Sequence, residues 1–212
     1  RVLTHRIAYL IEQGVKPVNI LAITFTNKAA KEMRNSVDSL VDNGDEVWVS
    51  TFHSTCVRIL RREIDKLGFD RNFTIYDRDD SDRVLKSCVK ELNLNEKLYP
   101  IRTVSAVIGS YKDDLITPSS LEKKAEIDFR TIQFSKIYSL YQSKLTRNNA
   151  LDFDDIIFKT VEVFHYFPDV LEKYQNRFKY IMVDEYQDTN TAQYFLIKKL
   201  ASKYKNLCVV GD

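Results

Sequence analysis

A short apolar segment followed by acidic residues decides the fold of this chain: Ile181-Met182-Val183-Asp184-Glu185-Tyr186-Gln187-Asp188-Thr189. Consecutive apolar residues here predict a strand that is buried on both faces of a parallel sheet. Open α/β sheets bind ligands at the carboxyl ends of their strands, where Asp184 and Glu185 would lie. One carboxylate there can hold the magnesium of a nucleotide through its water shell, and a second can accept a proton from attacking water. The alternative is a strand whose terminal acids only face solvent.

The alternation of strand and helix extends to both sides of this segment. Apolar runs predict further strands at Ile20–Phe25, Val47–Thr51 and Leu207–Val210. Apolar residues at helical spacing precede the first of these runs and follow the first two. Because strands that alternate with helices form parallel sheets, the predicted fold class is α/β, a parallel sheet flanked by helices.

The middle of the chain has a different pattern. Between residues 77 and 149 the strand pattern is absent, and apolar residues recur at helical spacing. This predicts a helical subdomain inserted into the α/β domain. The expected divisions are 1–76, 77–149 and 150–212.

Composition excludes several classes of protein. Hydrophobic residues make up 44% and charged residues 29% of the chain, which is enough to build a core and too apolar for a disordered protein. The 5 glycines and 4 prolines are too few for a turn-rich β-sandwich. Cys56, Cys88 and Cys208 are widely spaced, which predicts neither disulfides nor a zinc site and favours a reducing compartment.

Two further properties concern partners and completeness. A formal net charge of +2 gives no overall attraction to nucleic acid, so a nucleic-acid site would have to be local. The first residue is Arg1 rather than Met. We therefore expect the chain to be part of a longer protein.

Polar residues also follow the first two predicted strands. Thr24, Thr26 and Asn27 offer hydroxyl, amide and helix N-terminal donors that suit a phosphate, and Phe25 could stack on a base. Thr51 and His53 have the same layout after the second strand. The alternatives are a core role for Phe25 and a capping or packing role for His53.

A second acidic segment begins the last part of the chain. Asp152, Asp154 and Asp155 precede an apolar helical pattern. Acids in a first helical turn are favoured by the helix dipole alone. The rival interpretation is a metal-dependent nuclease that uses these three carboxylates.

Together these segments resemble the motifs of the UvrD/PcrA/Rep group of superfamily 1 DNA helicases, and most closely its PcrA-like members. The segment Asp184–Thr189 resembles motif II, the Walker B element, and Ala22–Ala30 resembles motif Ia. The segment Thr51–Ser54 resembles motif Ib, and Val209–Asp212 resembles the beginning of motif III. Leu151–Asp155 is similar to the segment that returns the chain from the helical insert.

The resemblance implies a RecA-like domain interrupted by a helical subdomain, with ATP and magnesium as cofactors. It implies that Asp184 holds magnesium through water, that Glu185 is the general base, and that Gln187 senses the γ-phosphate. The sequence lacks the phosphate-binding loop G-x-x-x-x-G-K-[ST], and Arg1 resembles a residue that directly follows this loop at the nucleotide.

The resemblance also implies single-stranded DNA and single-strand/double-strand junctions as partners, in a bacterial cytoplasm. The implied DNA-binding residues lie in motifs Ia and Ib: Thr24, Phe25, Thr26, Asn27, Thr51 and His53. In the insert, Lys86, Lys90 and Lys112 either contact the DNA backbone or form solvated surface.

The expected function is therefore part of a 3′ to 5′ translocase and helicase that acts in repair or replication. One alternative is a subunit of a RecB/AddA-type helicase-nuclease. The other is a DNA-binding module without ATPase activity, which the isolated fragment could be.

Overall fold

The computed structural model describes residues 1–124 and 128–212, and within it the chain forms two compact units. The first unit consists of Arg1–Ile59 and Thr160–Asp212, and the second consists of Leu60–Lys159. The chain leaves the first unit within one helix and returns to it within another, so each of these helices contains residues of both units.

The first unit is built on a parallel sheet. Its strands are β1 (Ile20–Thr24), β2 (Trp48–Thr51), β5 (Tyr180–Val183) and β6 (Leu207–Val209), in the spatial order β2-β1-β5-β6. Every pairing in this sheet is parallel. The helices of this part of the chain are α1 (Val2–Glu12), α2 (Asn27–Asp38), α3 (Phe52–Glu63), α8 (Phe153–Tyr166), α9 (Pro168–Arg177) and α10 (Thr191–Ala201). The predicted α/β class with a parallel sheet flanked by helices is confirmed.

The central strand β1 is buried on both faces, as its uniformly apolar sequence predicts. Ile20 and Ala22 face one way and pack with Leu3 and Ile7 of α1 in a shared apolar cluster. The residues between them on β1 point to the opposite face and are also buried. Burial of each large aliphatic side chain contributes about 1.5–3 kcal/mol, which fixes the register of this strand.

The second unit is largely helical. It contains α4 (Arg78–Glu91), α5 (Ile101–Asp113), α6 (Pro118–Lys124) and α7 (Phe129–Arg147), whose apolar faces share a core around Cys88, Val104, Ile137 and Tyr138. The predicted insert 77–149 lies inside this unit, which extends further in both directions. A short parallel pair, β3 (Thr74–Ile75) and β4 (Ala150–Leu151), lies in these extensions and joins the two ends of the helical region.

No helix in the described parts of the chain is both long enough and apolar enough to cross a membrane.

Candidate functional site

The carboxyl ends of three neighbouring strands lie side by side in the first unit. Thr24 at the end of β1 is the register partner of Thr51 at the end of β2. On the other side of β1, the Asp184 N–H donates a hydrogen bond of 3.0 Å to the carbonyl of Ile23. The structure therefore brings motif II together with the turns after β1 and β2 at one edge of the sheet.

The two acids that follow β5 have different environments. Asp184 is half-buried, and its Oδ1 accepts a hydrogen bond of 3.0 Å from the Glu185 N–H. Glu185 is exposed and adopts the left-handed conformation, with φ 50° and ψ 44°. A non-glycine residue in this conformation is uncommon and tends to occur at functional sites. The backbone therefore turns sharply at Glu185, directly after the strand.

The loop after β5 is tied to the end of β6. The Tyr186 N–H donates to the Val210 carbonyl at 2.9 Å. The Gln187 side chain donates from Nε2 to Glu185 Oε2 at 2.6 Å and accepts at Oε1 from the Asp212 N–H at 3.2 Å. Glu185, Gln187 and the motif III segment thus form one hydrogen-bonded group.

The turn after β1 forms a favourable helix N-terminus for an anion. Thr24 is only 1% exposed, and its Oγ1 donates to the Thr26 carbonyl at 3.2 Å. The Thr26 Oγ1 accepts from the Ala29 N–H at 3.1 Å and caps α2. No acid lies in the first turn of α2, and Thr26 and Asn27 are exposed. Such an N-terminus attracts phosphate groups through its N–H groups and dipole.

Phe25 has features of both roles proposed for it from the sequence, stacking on a base and packing in the core. Its ring is half-buried and contacts the buried ring of Phe52, with centroids 5.3 Å apart at 58°. Part of the Phe25 ring therefore faces solvent at the same edge as the acids. A partly exposed ring can stack on a base without leaving its support.

At the end of β2, as at the end of β1, a buried threonine is followed shortly by partly accessible residues. Thr51 is buried, and its Oγ1 accepts from the Ser54 N–H at 3.1 Å and donates to Ser54 Oγ at 3.0 Å. His53 is half-buried in the first turn of α3. Thr51, like Thr24, uses its hydroxyl to shape the local turn.

Arg1 lies on a different element from the acids. It is exposed at the start of α1, and its carbonyl accepts from Thr4 Oγ1 at 2.7 Å and from the His5 N–H at 3.3 Å. The nucleotide role of Arg1 stays a prediction.

The donor set at Asp184 and Glu185 fits magnesium that is bound together with a nucleotide. Within the residues that the structure describes, no group of three or more His, Cys, Asp and Glu side chains could hold a metal ion. Magnesium that accompanies a nucleotide needs fewer protein ligands, since one or two carboxylates, waters and substrate phosphates complete its shell. The half-buried Asp184 and the exposed Glu185 after β5 meet that requirement.

The second acidic segment is neutralised from within its own unit. Lys112 Nζ lies 2.6 Å from Asp152 Oδ2 and 2.9 Å from Asp155 Oδ1, and the Tyr141 hydroxyl donates to Asp152 Oδ2 at 2.8 Å. Asp152 and Asp155 also accept each other's N–H groups and so fix the first turn of α8. A lysine ammonium where a metal would bind removes the support for the rival nuclease interpretation.

Lys112 therefore corrects two expectations at once. Its side chain is 1% exposed, so it neither contacts a DNA backbone nor forms solvated surface. Burial opposes its ionisation, but Asp155 and Asp152 outweigh this and raise the pKa of Lys112. Lys86 and Lys90 are exposed, as expected.

Asp154 lines a cavity of about 700 Å³ together with Asp113, Arg102 and two members of the ion cluster, Asp152 and Tyr141. Burial, followed by the charges of Asp152 and Asp113, raises the pKa of Asp154 to about 6. Asp154 therefore retains a proton under mildly acidic conditions in which an ordinary aspartate is ionised.

Sequence reasoning missed two features of these clusters. Gly211 lies directly against Gln187, a contact that the resemblance of its segment to motif III did not predict. Phe153, an apolar residue at the start of α8, is 59% exposed, whereas its neighbours Asp152 and Asp155 are buried. Helical spacing alone could not show that these acids are paired internally.

Comparison with known families agrees with this geometry. A family model of the UvrD/REP helicase N-terminal domain matches residues 1–212. The chain therefore belongs to the UvrD/REP helicase family, and its α/β fold with a parallel sheet fits the RecA-like architecture of that domain. The resemblance inferred from the motifs is confirmed.

Individual relatives specify the similarity further. The ATP-dependent DNA helicase PcrA of Staphylococcus aureus is 55% identical to this chain over 214 residues, and the protein of the same name from Staphylococcus epidermidis is 54% identical. Each alignment covers 100% of this chain. The chain spans 29% of the length of these relatives.

Proposed function

We propose that this chain supplies part of the ATP-hydrolysing motor of a DNA helicase. One observation carries the proposal: Asp184 and Glu185 lie at the carboxyl edge of a parallel sheet, beside the exposed N-terminus of α2. Family membership supports it, since relatives named ATP-dependent DNA helicases align with this chain over its whole length.

In the proposed reaction each residue at the end of β5 has a separate task. Asp184 holds magnesium through its water shell, and Glu185 accepts the proton of the water that attacks the γ-phosphate. Bound magnesium would neutralise charge on the phosphates. The separate contacts of the two carboxylates support this division, because Asp184 Oδ1 accepts from the Glu185 N–H and Glu185 Oε2 accepts from Gln187 Nε2.

For DNA, we propose that the partly exposed face of Phe25 stacks on a base. Thr26, Asn27 and His53 are the accessible polar residues beside it, and they would contact the backbone. Thr24 and Thr51 are buried and would act by shaping the two turns that present these residues.

We further propose that the full-length protein moves 3′ to 5′ on single-stranded DNA and opens junctions during repair or replication in the bacterial cytoplasm. Strand displacement from matched duplexes with a 3′ or a 5′ single-stranded tail tests the polarity. We expect ATP-dependent unwinding of the 3′-tailed duplex alone. Equal unwinding of the 5′-tailed duplex would contradict the polarity, and unwinding of neither would contradict the helicase function.

The isolated 212-residue chain should not hydrolyse ATP above background. Most nucleotide affinity in P-loop proteins comes from the loop that this sequence lacks, and Asp184 and Glu185 repel a triphosphate unless magnesium screens them. Calorimetric titration with magnesium and a nonhydrolysable ATP analogue should show only weak binding. A micromolar dissociation constant would mean that another segment binds the phosphates.

A further inference from the structure

The Gln187 side chain connects two parts of the candidate site through opposite ends of one amide. Its Nε2 donates to Glu185 Oε2 at 2.6 Å, and its Oε1 accepts from the Asp212 N–H at 3.2 Å. The donor end can only face the carboxylate and the acceptor end can only face the N–H, so the amide has one consistent orientation. A hydrogen bond to a carboxylate is also stronger than a neutral one.

The absence of a side chain at residue 211 makes this arrangement possible. A Cβ at Gly211 would overlap Gln187 Oε1, and it would lie 3.2 Å from the Gln187 backbone nitrogen and 3.3 Å from that of Tyr186. Gly211 does not have a positive φ, so its role is close approach rather than backbone freedom.

Backbone hydrogen bonds keep the same two segments together. The Val210 N–H donates to the Val183 carbonyl at 2.9 Å, and the Tyr186 N–H donates to the Val210 carbonyl at 2.9 Å. A displacement of residues 210–212 would therefore be transmitted to the loop that carries Glu185. The Gln187 amide extends this coupling from the backbone to the Glu185 carboxylate.

We propose that Gln187 is a positioning residue that orients the Glu185 carboxylate and couples it to the segment Val210–Asp212, with Gly211 providing the necessary space. This inference rests on the proposed role of Glu185 as general base. It gives Gln187 a function that acts through Glu185, in place of the direct γ-phosphate contact expected from the resemblance.

The test uses the full-length protein and measures ATP turnover at saturating single-stranded DNA. Gln187→Met keeps the length of the side chain and removes both hydrogen bonds. We expect kcat to fall roughly 10- to 100-fold, because small displacements of catalytic groups have effects of this size, with KM for ATP changed less than about twofold. Gln13→Met, at an exposed glutamine just after α1, is the matched control and should behave as wild type.

Gly211→Ala examines the same coupling without changing Gln187. It should also lower kcat more than it raises KM. In combination with Gln187→Ala, where the overlapping amide is absent, Gly211→Ala should lower kcat clearly less than it does alone. Such non-additivity is expected of two residues that act on one group.

Each other outcome has a distinct meaning. A raised KM for ATP with unchanged kcat in Gln187→Met would show direct contact with the nucleotide and overturn the inference. Fully additive effects of the two substitutions would overturn the coupling through Gly211. If the wild-type protein hydrolyses no ATP, the proposed function itself fails, and this result is separate from either of the other two.

Discussion

Two acidic clusters in this chain look alike in sequence and differ in structure. Asp184 and Glu185 directly follow a strand at the carboxyl edge of the sheet, and Glu185 is exposed. Asp152 and Asp155 begin a helix in the helical unit and are buried around the Lys112 ammonium. We propose the first cluster as the site of a magnesium nucleotide, whereas the second already holds the Lys112 ammonium as its cation.

The comparison shows that the counter-ion decides the role of a carboxylate. Buried carboxylates need a partner because desolvation of an unpaired charge is costly, and Lys112 supplies that partner from α5. At the sheet edge, water solvates the carboxylates in place of a cation, so these carboxylates can exchange water for a ligand. The following predictions test that contrast.

The largest expected effect is on the buried cluster. Lys112→Met removes its cation and leaves two buried carboxylates unpaired, which should lower the free energy of unfolding by about 3–5 kcal/mol. Urea denaturation followed by circular dichroism measures the change. Lys203→Met, which breaks an exposed ion pair with Glu172, is the control and should have no detectable effect.

A rescue variant strengthens this test. Adding Asp155→Asn to Lys112→Met removes one of the unpaired charges and should restore part of the lost stability. If Lys112→Met itself is as stable as the wild type, the ammonium is not the group that holds this cluster together.

The next effect concerns the surface beside the exposed cluster. In the full-length protein, Phe25→Ala should weaken binding of single-stranded DNA by about 1–3 kcal/mol, because it removes a base stack, with little loss of thermal stability. Fluorescence anisotropy with a labelled oligonucleotide measures the affinity. A large drop in melting temperature at unchanged DNA affinity would instead assign Phe25 to the core.

The smallest expected effect is the pH dependence of stability that comes from Asp154, which lies beside the paired Asp152 and Asp155. Its pKa of about 6 in the folded state lies above the ordinary value of 3.8, so the folded chain binds the proton more tightly than the unfolded chain does. Stability from this group is therefore present at acidic pH and is lost as the pH rises through about 6.

Asp154→Asn should abolish that pH dependence. It should stabilise the chain by about 1–2 kcal/mol near pH 8 and change little near pH 4, after allowance for partial solvent screening. Urea unfolding at both pH values gives the comparison. A wild-type-like pH dependence in Asp154→Asn would mean that another group carries this titration.

Much of the first unit could be predicted from sequence because its determinants are local. The apolar runs at β1 and β5 determine strand burial, and the acids after β5 necessarily lie at the carboxyl edge of the sheet. Thr26 was identified as part of the turn before α2 from its residue type and position, and it caps that helix.

The remaining features depend on contacts between distant parts of the chain. Lys112 lies 40 residues before Asp152, and nothing in its local sequence distinguishes it from a surface lysine. The pair β3 and β4 is too short to give a strand pattern, because each strand has only two residues. The close approach of Gly211 to Gln187 likewise exists only once β5 and β6 are paired.

The most direct test of the central assignment is Glu185→Gln in the full-length protein. The substitution keeps the size of the side chain and removes the proton acceptor, and Glu172→Gln, at an exposed acid of α9, is the matched control. DNA-stimulated ATP hydrolysis should fall about a hundredfold or more in Glu185→Gln, while calorimetry should show nearly unchanged affinity for ATP and DNA. Near-normal turnover in Glu185→Gln would contradict the assignment of this carboxylate as the general base.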